Sequence, residues 1–560
     1  MKKDYLVIIL VVGLALLGIN SCGADNGEDT TEDSTVNSDG DTDADGDSDS
    51  DGDSDTDSDT DTDSDTDGDI DTDTDTDSDT DVDTDGDSDT DSDMDDTSKG
   101  CPAECLPHCT SWGGTIVDDG VCDGDLRCCE GATPSDTDTD TDTDSDSDTD
   151  TDTDGDTDAD TDSDSDTDSD VLDPVDVTAD VVVDMFTENQ TIRGFGGMNC
   201  PTWGVDLTSD QADTAFGNEN GQMGMTILRV MIPPSSSNFS REVATAKRAV
   251  SHGAIVLATP WTPPQNMKTN GSLVGGRLNT SSYAAYADHL LSFKDHMESN
   301  GVTLHAISVQ NEPDIAVDYD SCDWSAEEMA NWLSSEGSRF GDTKLMAAES
   351  FNYNKQRTDP ILNSPTAEPM FDIVGVHLYG ARASDYPLAR EKGKELWMTE
   401  HYTESDNDAN LWPLAYDVAK EIHSVMASNF NAYIWWYIRR SYGPMTENGQ
   451  ISKRGYMMAQ YSKYVRPGFI RVDTVSGGGG GASIQVTAYK NGAQVVAVIL
   501  NTGNSAQNIT FGVNAGAYSE FRTITSSGSK NLEEGSVSAT GNVASLSLEA
   551  QSITTVIGGE

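Results

Sequence analysis

Eight short, nearly uninterrupted apolar runs, rich in β-forming residues, follow one another at 192–198, 226–232, 254–260, 304–310, 344–349, 373–378, 396–400 and 432–438. Between them lie stretches with apolar residues at three- and four-residue spacing, as in Tyr283, Tyr286, Leu290 and Phe293, the period of an amphipathic helix. A strand that is apolar on both faces must be covered on both, which is the condition of a parallel sheet buried under helices. Eight such strands alternating with helices predict an α/β fold, a (β/α)8 TIM barrel over 191–465. A doubly wound open sheet is the competing fold, but Gly194-Phe195-Gly196-Gly197 opens no helix with the spacing of a nucleotide-binding loop.

The texture changes on either side. From about 466, after a five-glycine run at 477–481, the residues alternate, as in Ser483-Ile484-Gln485-Val486-Thr487-Ala488, with Asn491-Gly492 as a hairpin turn. A β-sandwich side domain is expected over 466–560, with 171–190 supplying one of its strands. Residues 1–170 hold 60 of the 102 acidic side chains and 4 of the 31 basic ones. Most of the formal charge of −71 therefore sits outside the barrel. Basic clusters are lacking, which argues against nucleic acid as a partner.

That N-terminal arm reads as four pieces. Residues 1–22 combine Lys2 and Lys3 with an apolar stretch too short to span a bilayer comfortably, an export signal; its end, Leu17-Gly18-Ile19-Asn20-Ser21-Cys22, is similar to a bacterial lipoprotein cleavage box. Cys22 would then carry a lipid anchor, placing the protein outside the cell, secreted or tethered to the surface. Residues 23–99 and 132–170 are Asp alternating with Thr, Ser and Gly, with too little apolar surface to fold, and read as extended spacers. Asp63-Ser64-Asp65-Thr66-Asp67-Gly68 begins like a calcium loop, but Thr74 stands where such a loop needs its bidentate Glu. Cys101, Cys105, Cys109, Cys122, Cys128 and Cys129 within 100–131 form a disulfide module whose pairing the sequence leaves open; their spacing does not suit zinc. Cys200 and Cys322 could form a further bridge.

In a barrel the chemistry gathers where the strands end. Strand four ends Gln310-Asn311-Glu312-Pro313 and strand seven ends Trp397-Met398-Thr399-Glu400-His401, two carboxyl groups on opposite sides of the mouth. Hydrolysis of a glycosidic bond needs one carboxyl protonated and one ionised. Aromatic residues suited to stacking on sugar rings stand at the same rims: Trp203, Trp261, Tyr379, and Trp436 with Trp435 and Tyr437. Arg229, ending strand two, is the candidate for holding Glu400 charged, and no cluster of His, Cys and Asp suggests a metal or an organic cofactor.

The segments Ile192-Arg193-Gly194-Phe195-Gly196-Gly197, Pro260-Trp261-Thr262-Pro263-Pro264, Gln310-Asn311-Glu312-Pro313, His377-Leu378-Tyr379-Gly380, Trp397-Met398-Thr399-Glu400-His401 and Trp435-Trp436-Tyr437-Ile438-Arg439-Arg440-Ser441-Tyr442-Gly443 together resemble the endo-xylanases of glycoside hydrolase family 30, from about Ala179 to the C-terminus. The resemblance implies a retaining mechanism with Glu312 as acid/base and Glu400 as nucleophile, their carboxyls about 5–5.5 Å apart. It also implies that Asn311 holds a sugar 2-hydroxyl and that Tyr379 bonds Glu400. In the glucuronoxylanases of that family the arginine matching Arg440 grips a glucuronate branch, with residues matching Trp436, Tyr442 and Ser405 around it. A planar, permanently charged guanidinium suits that task, though Arg440 could instead pair with Glu404. The substrate expected is glucuronoxylan, acted on by a monomer; the alternatives are another β-glycan, or a glycan-binding adhesin on the same scaffold.

Overall fold

The computed structural model describes residues 172–403, 408–476 and 481–559, together with three short strands nearer the N-terminus. The signal and lipid-anchor reading at Cys22, both acidic spacers, Ser405 and Glu404 lie outside the described residues. Within 100–131 the strands Glu104–Leu106, Thr115–Ile116 and Arg127–Glu130 form a small antiparallel sheet with the third in the middle.

Eight parallel strands close into a barrel. In chain order they are Gly194–Met198, Ile227–Ile232, Ile255–Pro260, Leu304–Ser308, Lys344–Ser350, Ile373–His377, Glu395–Glu400 and Ala432–Tyr437, each within a few residues of a predicted run. A helix follows every one, from Ser209–Phe216 after the first to Lys453–Ser462 after the eighth. Helix starts are written locally: Thr208 with Gln211, and Ser325 with Glu328, form reciprocal capping boxes that satisfy backbone N–H groups otherwise left bare.

Strand alternation decides what faces the lumen. Ile227, Leu257, Ala306, Met346, Ile373, Trp397, Ala432 and Ile434 pack together inside the barrel, fully buried. Counting in twos from these residues carries Arg229, His377, Tyr379 and Trp436 to the same interior, nearer the mouth. Trp435 faces the other way, its ring 6.0 Å from the Arg454 guanidinium on the final helix. Two residues break the count. Pairing jumps from Ala348 to Ser350 in strand five and from Met398 to Glu400 in strand seven, and each bulge re-aims one side chain: Glu349 and Glu400 both turn inward.

The remaining strands form one nine-stranded, mostly antiparallel sheet around a second core that includes Val183, Val472, Ala497, Phe511 and Phe521. Val181–Thr191 lies inside this sheet, between Ile470–Ser476 and Gln507–Val513. The last barrel helix is fixed to it through Gln460, which donates to Ser526 at 2.9 Å and accepts from Thr555 at 2.5 Å. Among the described residues no helix is long and apolar enough to cross a membrane.

Candidate active site

Glu312 and Glu400 are both nearly inaccessible, at 4% and 3% exposure, and oxygens of the two carboxyls with a ring nitrogen of His377 all lie within 4.8 Å of one another. Glu312 sits just past strand four with φ +43°, a left-handed conformation costly for a residue with a side chain and typical of functional positions. Its N–H donates to the Glu349 carbonyl at 3.1 Å, which ties the end of strand four to the bulge of strand five.

Arg229, wholly buried, organises the floor. It donates to Glu400 at 2.5 Å, to Asn311 Oδ1 at 2.7 Å and to Glu349 at 3.0 Å, and its guanidinium lies 4.7 Å from the Trp261 ring centroid. Tyr379 donates to the other Glu400 oxygen at 2.9 Å. Asn311, its Oδ1 committed to Arg229, has its amide NH2 left for another partner. On the Glu312 side, His377 Nδ1 stands 2.9 Å from Oε1 and the Tyr319 hydroxyl 3.2 Å from Oε2, while His377 Nε2 is 3.5 Å from Glu349.

The environments of the three carboxyls diverge. Burial raises Glu312 above the ordinary carboxyl range, reinforced by the charge of Glu400 and opposed by the hydrogen bond from His377. Burial would raise Glu349 too, but Arg229 and His377 outweigh it and hold that carboxyl at about 2. Burial alone would lower His377; the charge of Glu400, the hydrogen bond with Glu312 and the Glu349 carboxylate 3.5 Å away instead lift it to about 9. Placing a protonated acid beside an ion-paired carboxylate is how a site assigns separate roles to two like groups.

His377, Glu349 and Tyr319 were not singled out from the sequence. Glu349 had the same signal as its partners, an acid at a strand end, and His377 shares strand parity with Tyr379. His377 joins both glutamates at the strand ends. Its Nδ1 is engaged by Glu312 and Glu400 is held by Arg229, so these atoms form an ion-paired network rather than a vacant chelate.

The aromatic residues make a continuous wall. Trp203 meets Trp261 edge-on at 5.2 Å, Trp261 lies 6.0 Å from Trp436, and Trp436 lies 4.4 Å from Tyr437; on the other side Tyr379, Tyr402 and Tyr442 follow at 5.8 and 5.1 Å. Trp261 and Trp436 are buried and Trp203 is half-exposed, so Trp203 offers the most open face. Arg440, half-buried, rests its guanidinium 4.0 Å from the Tyr437 ring centroid and donates to the Arg439 carbonyl at 3.3 Å. Beside it only a narrow crevice, too small for a sugar, is bounded by Asn199, Gly204, Val205 and Tyr437. Among the described residues no carboxylate pairs with Arg440.

The Cys200–Cys322 bridge is not formed. Cys322 is a buried free thiol, pushed up to about 12 chiefly by burial, while the Cys200 sulfur turns inward to Met231 Sδ at 3.7 Å.

Residues 235–339 match the glycosyl hydrolase family 30 TIM-barrel domain. Glucuronoxylanase XynC of Bacillus subtilis (strain 168) is 46% identical over 391 residues, 68% of this chain and 92% of that protein. Among solved structures, a family 30 subfamily 8 xylanase from Clostridium acetobutylicum aligns with TM-score 0.63 at 38% identity, and a family 30 endoxylanase from Clostridium papyrosolvens C71 with 0.62 at 36%. Each alignment covers 68% of this chain and all of the other. Barrel, side sheet, paired carboxyls and kinship agree: the chain belongs to glycosyl hydrolase family 30.

Proposed function

We propose that this enzyme is a retaining endo-xylanase that cuts glucuronoxylan outside the cell, reading a glucuronate branch with Arg440. The observation that carries the reading is the close pairing of Glu312, raised by burial, with an arginine-bound Glu400, in a chain nearly half identical to a protein named a glucuronoxylanase. The short separation suits direct attack, since inverting enzymes need a wider gap for a water. Glu312 gives its proton to the leaving oxygen as Glu400 attacks the sugar carbon; water then enters, losing its proton to Glu312, and the ester to Glu400 breaks. The free amide NH2 of Asn311 donates to the 2-hydroxyl of the same sugar. Arg440, backed by Tyr437, has donors left for a branch carboxylate, with Trp436 and Tyr442 as the residues to pack around the branch and Ser405, five residues after Glu400 in the sequence, as the hydroxyl to bond it.

In this reading residues 191–465 perform catalysis, 171–190 with 466–560 brace the barrel, and the acidic arm spaces it from a surface to which Cys22 is anchored. Proton NMR of glucuronoxylan during digestion tests the chemistry. New reducing ends should appear first as the β-anomer and mutarotate later; first appearance of the α-anomer would overturn double displacement.

A further inference from the structure

The mechanism needs a proton on Glu312, yet only one of the two Glu312 oxygens can usefully carry it. Oε1 faces inward to His377 at 2.9 Å, whereas Oε2 faces Tyr319 of the half-exposed loop after strand four at 3.2 Å. A neutral imidazole protonated at Nε2, toward Glu349, would present a bare Nδ1 and draw the Glu312 proton to Oε1, away from substrate. An imidazolium donates from Nδ1, makes Oε1 an acceptor, and leaves Oε2 for the proton. The protonation of His377 therefore selects the working oxygen.

We infer that Glu349 is a positioning residue which, by holding His377 as the imidazolium, keeps the catalytic proton of Glu312 on the oxygen that faces the substrate. The inference rests on the general-acid reading of Glu312.

Two observations support it independently. The first is charge balance in a pocket where Arg229, Glu349 and His377 have no exposed surface. The charged groups facing His377 are Glu349 from strand five, Glu312 from strand four, Glu400 from strand seven and Arg229 from strand two, with the neutral hydroxyls of Ser308, Tyr319 and Tyr379 nearby. With Glu312 protonated, two cations meet two carboxylates and the sum is zero. Once Glu400 is esterified and Glu312 has given up its proton, the sum is again zero. A neutral His377 would leave one uncompensated negative charge at both stages, a heavy cost among side chains buried this deeply. The second observation is backbone work. Strand five bulges and takes φ +46° at Glu349 to point this carboxylate inward, and Gly375 clears the space, since a Cβ there would come within 2.8 Å of Glu349 Cγ and 2.5 Å of Met346 Sδ.

The test compares full-length native protein, Glu349→Gln and Glu312→Gln on two substrates. One is glucuronoxylan, whose leaving oxygen needs a proton; the other is a dinitrophenyl xylobioside, whose leaving group does not. For Glu349→Gln the basic limb of the kcat/KM profile on xylan should move down by at least one pH unit, with kcat falling tenfold or more and KM little changed. The activated glycoside should lose less than threefold in kcat/KM. An unmoved limb, with equal losses on both substrates, would mean that Glu349 is merely structural. If Glu312→Gln lowers kcat/KM on both substrates alike, the general-acid reading fails instead, since kcat/KM does not include the later step in which Glu312 acts as base. Should Glu349→Gln not fold, histidine 15N spectra of the native protein decide: two protonated nitrogens on His377 at pH 7 are expected, and a neutral ring would overturn the inference.

Discussion

Arg229 shows how much a single side chain can carry: it touches Glu400, Glu349 and Asn311 at once. Removing one member of a buried charge network typically costs about 3–5 kcal/mol, because the others stay buried and unpaired. Arg229→Leu is therefore expected to lower the unfolding free energy by several kcal/mol as well as abolish turnover; a denaturant melt checks the first effect. Glu312→Gln should reduce kcat on xylan by about 10²–10⁴-fold, the usual worth of a general acid. Two other groups set a pH dependence of stability. Glu242 accepts two bonds from Thr202, leaves Oε2 buried and unpartnered, and is raised by burial from 4.5 to about 8. The folded state thus keeps a proton that the unfolded chain releases, so stability falls as pH rises from 4.5 to 8. His377, raised from 6.5 to about 9, contributes stability that is full below 6.5 and is lost by 9. Melting temperatures should accordingly decline across the neutral range, and Glu242→Gln should flatten the lower part of the slope; an unchanged slope would contradict the assignment.

At the scale of elements, the alternation of strand residues made most of the barrel and half of the site legible in the sequence. Each of the eight apolar runs became a strand, and Arg229, Tyr379, Glu312 and Glu400 meet at one mouth. Strand parity alone misses both bulged acids; Glu400 was found from its strand-end segment, whereas Glu349 was not. Glu349 sits on a bulge, so parity assigns it to the outside, and His377 reads as a buried histidine until Glu349 is known to turn inward. The depth of Trp261 was hidden for a related reason: a tryptophan at a strand end can stack on a sugar or on an arginine, and here it packs on Arg229. Gly375→Ala should push a methyl group into Glu349 and cost about 1–3 kcal/mol by overpacking, with activity falling as the bulge shifts. Deleting 172–190 removes an interior strand of the nine-stranded sheet and bares hydrogen-bonding edges on both neighbours. Loss of soluble protein is expected; a soluble, fully active product would mean the side sheet does not brace the barrel.

Over the whole molecule, charge and chemistry are kept apart. The acidic residues crowd into 1–170, while the described catalytic part gathers a few ionised groups into one balanced network. Removing residues 23–170 should leave kcat/KM on soluble xylo-oligosaccharides within twofold of the intact chain. The central claim is that Arg440 directs cleavage by gripping a glucuronate branch, and the most direct measurement is product mass after exhaustive digestion of glucuronoxylan and unbranched xylan by the native enzyme and Arg440→Ala. The account predicts native products that each bear one glucuronate, a strong preference for the branched polymer, and loss of both features in the variant. Equal cutting of the two polymers by the native enzyme, or an unaltered product pattern from Arg440→Ala, would contradict it.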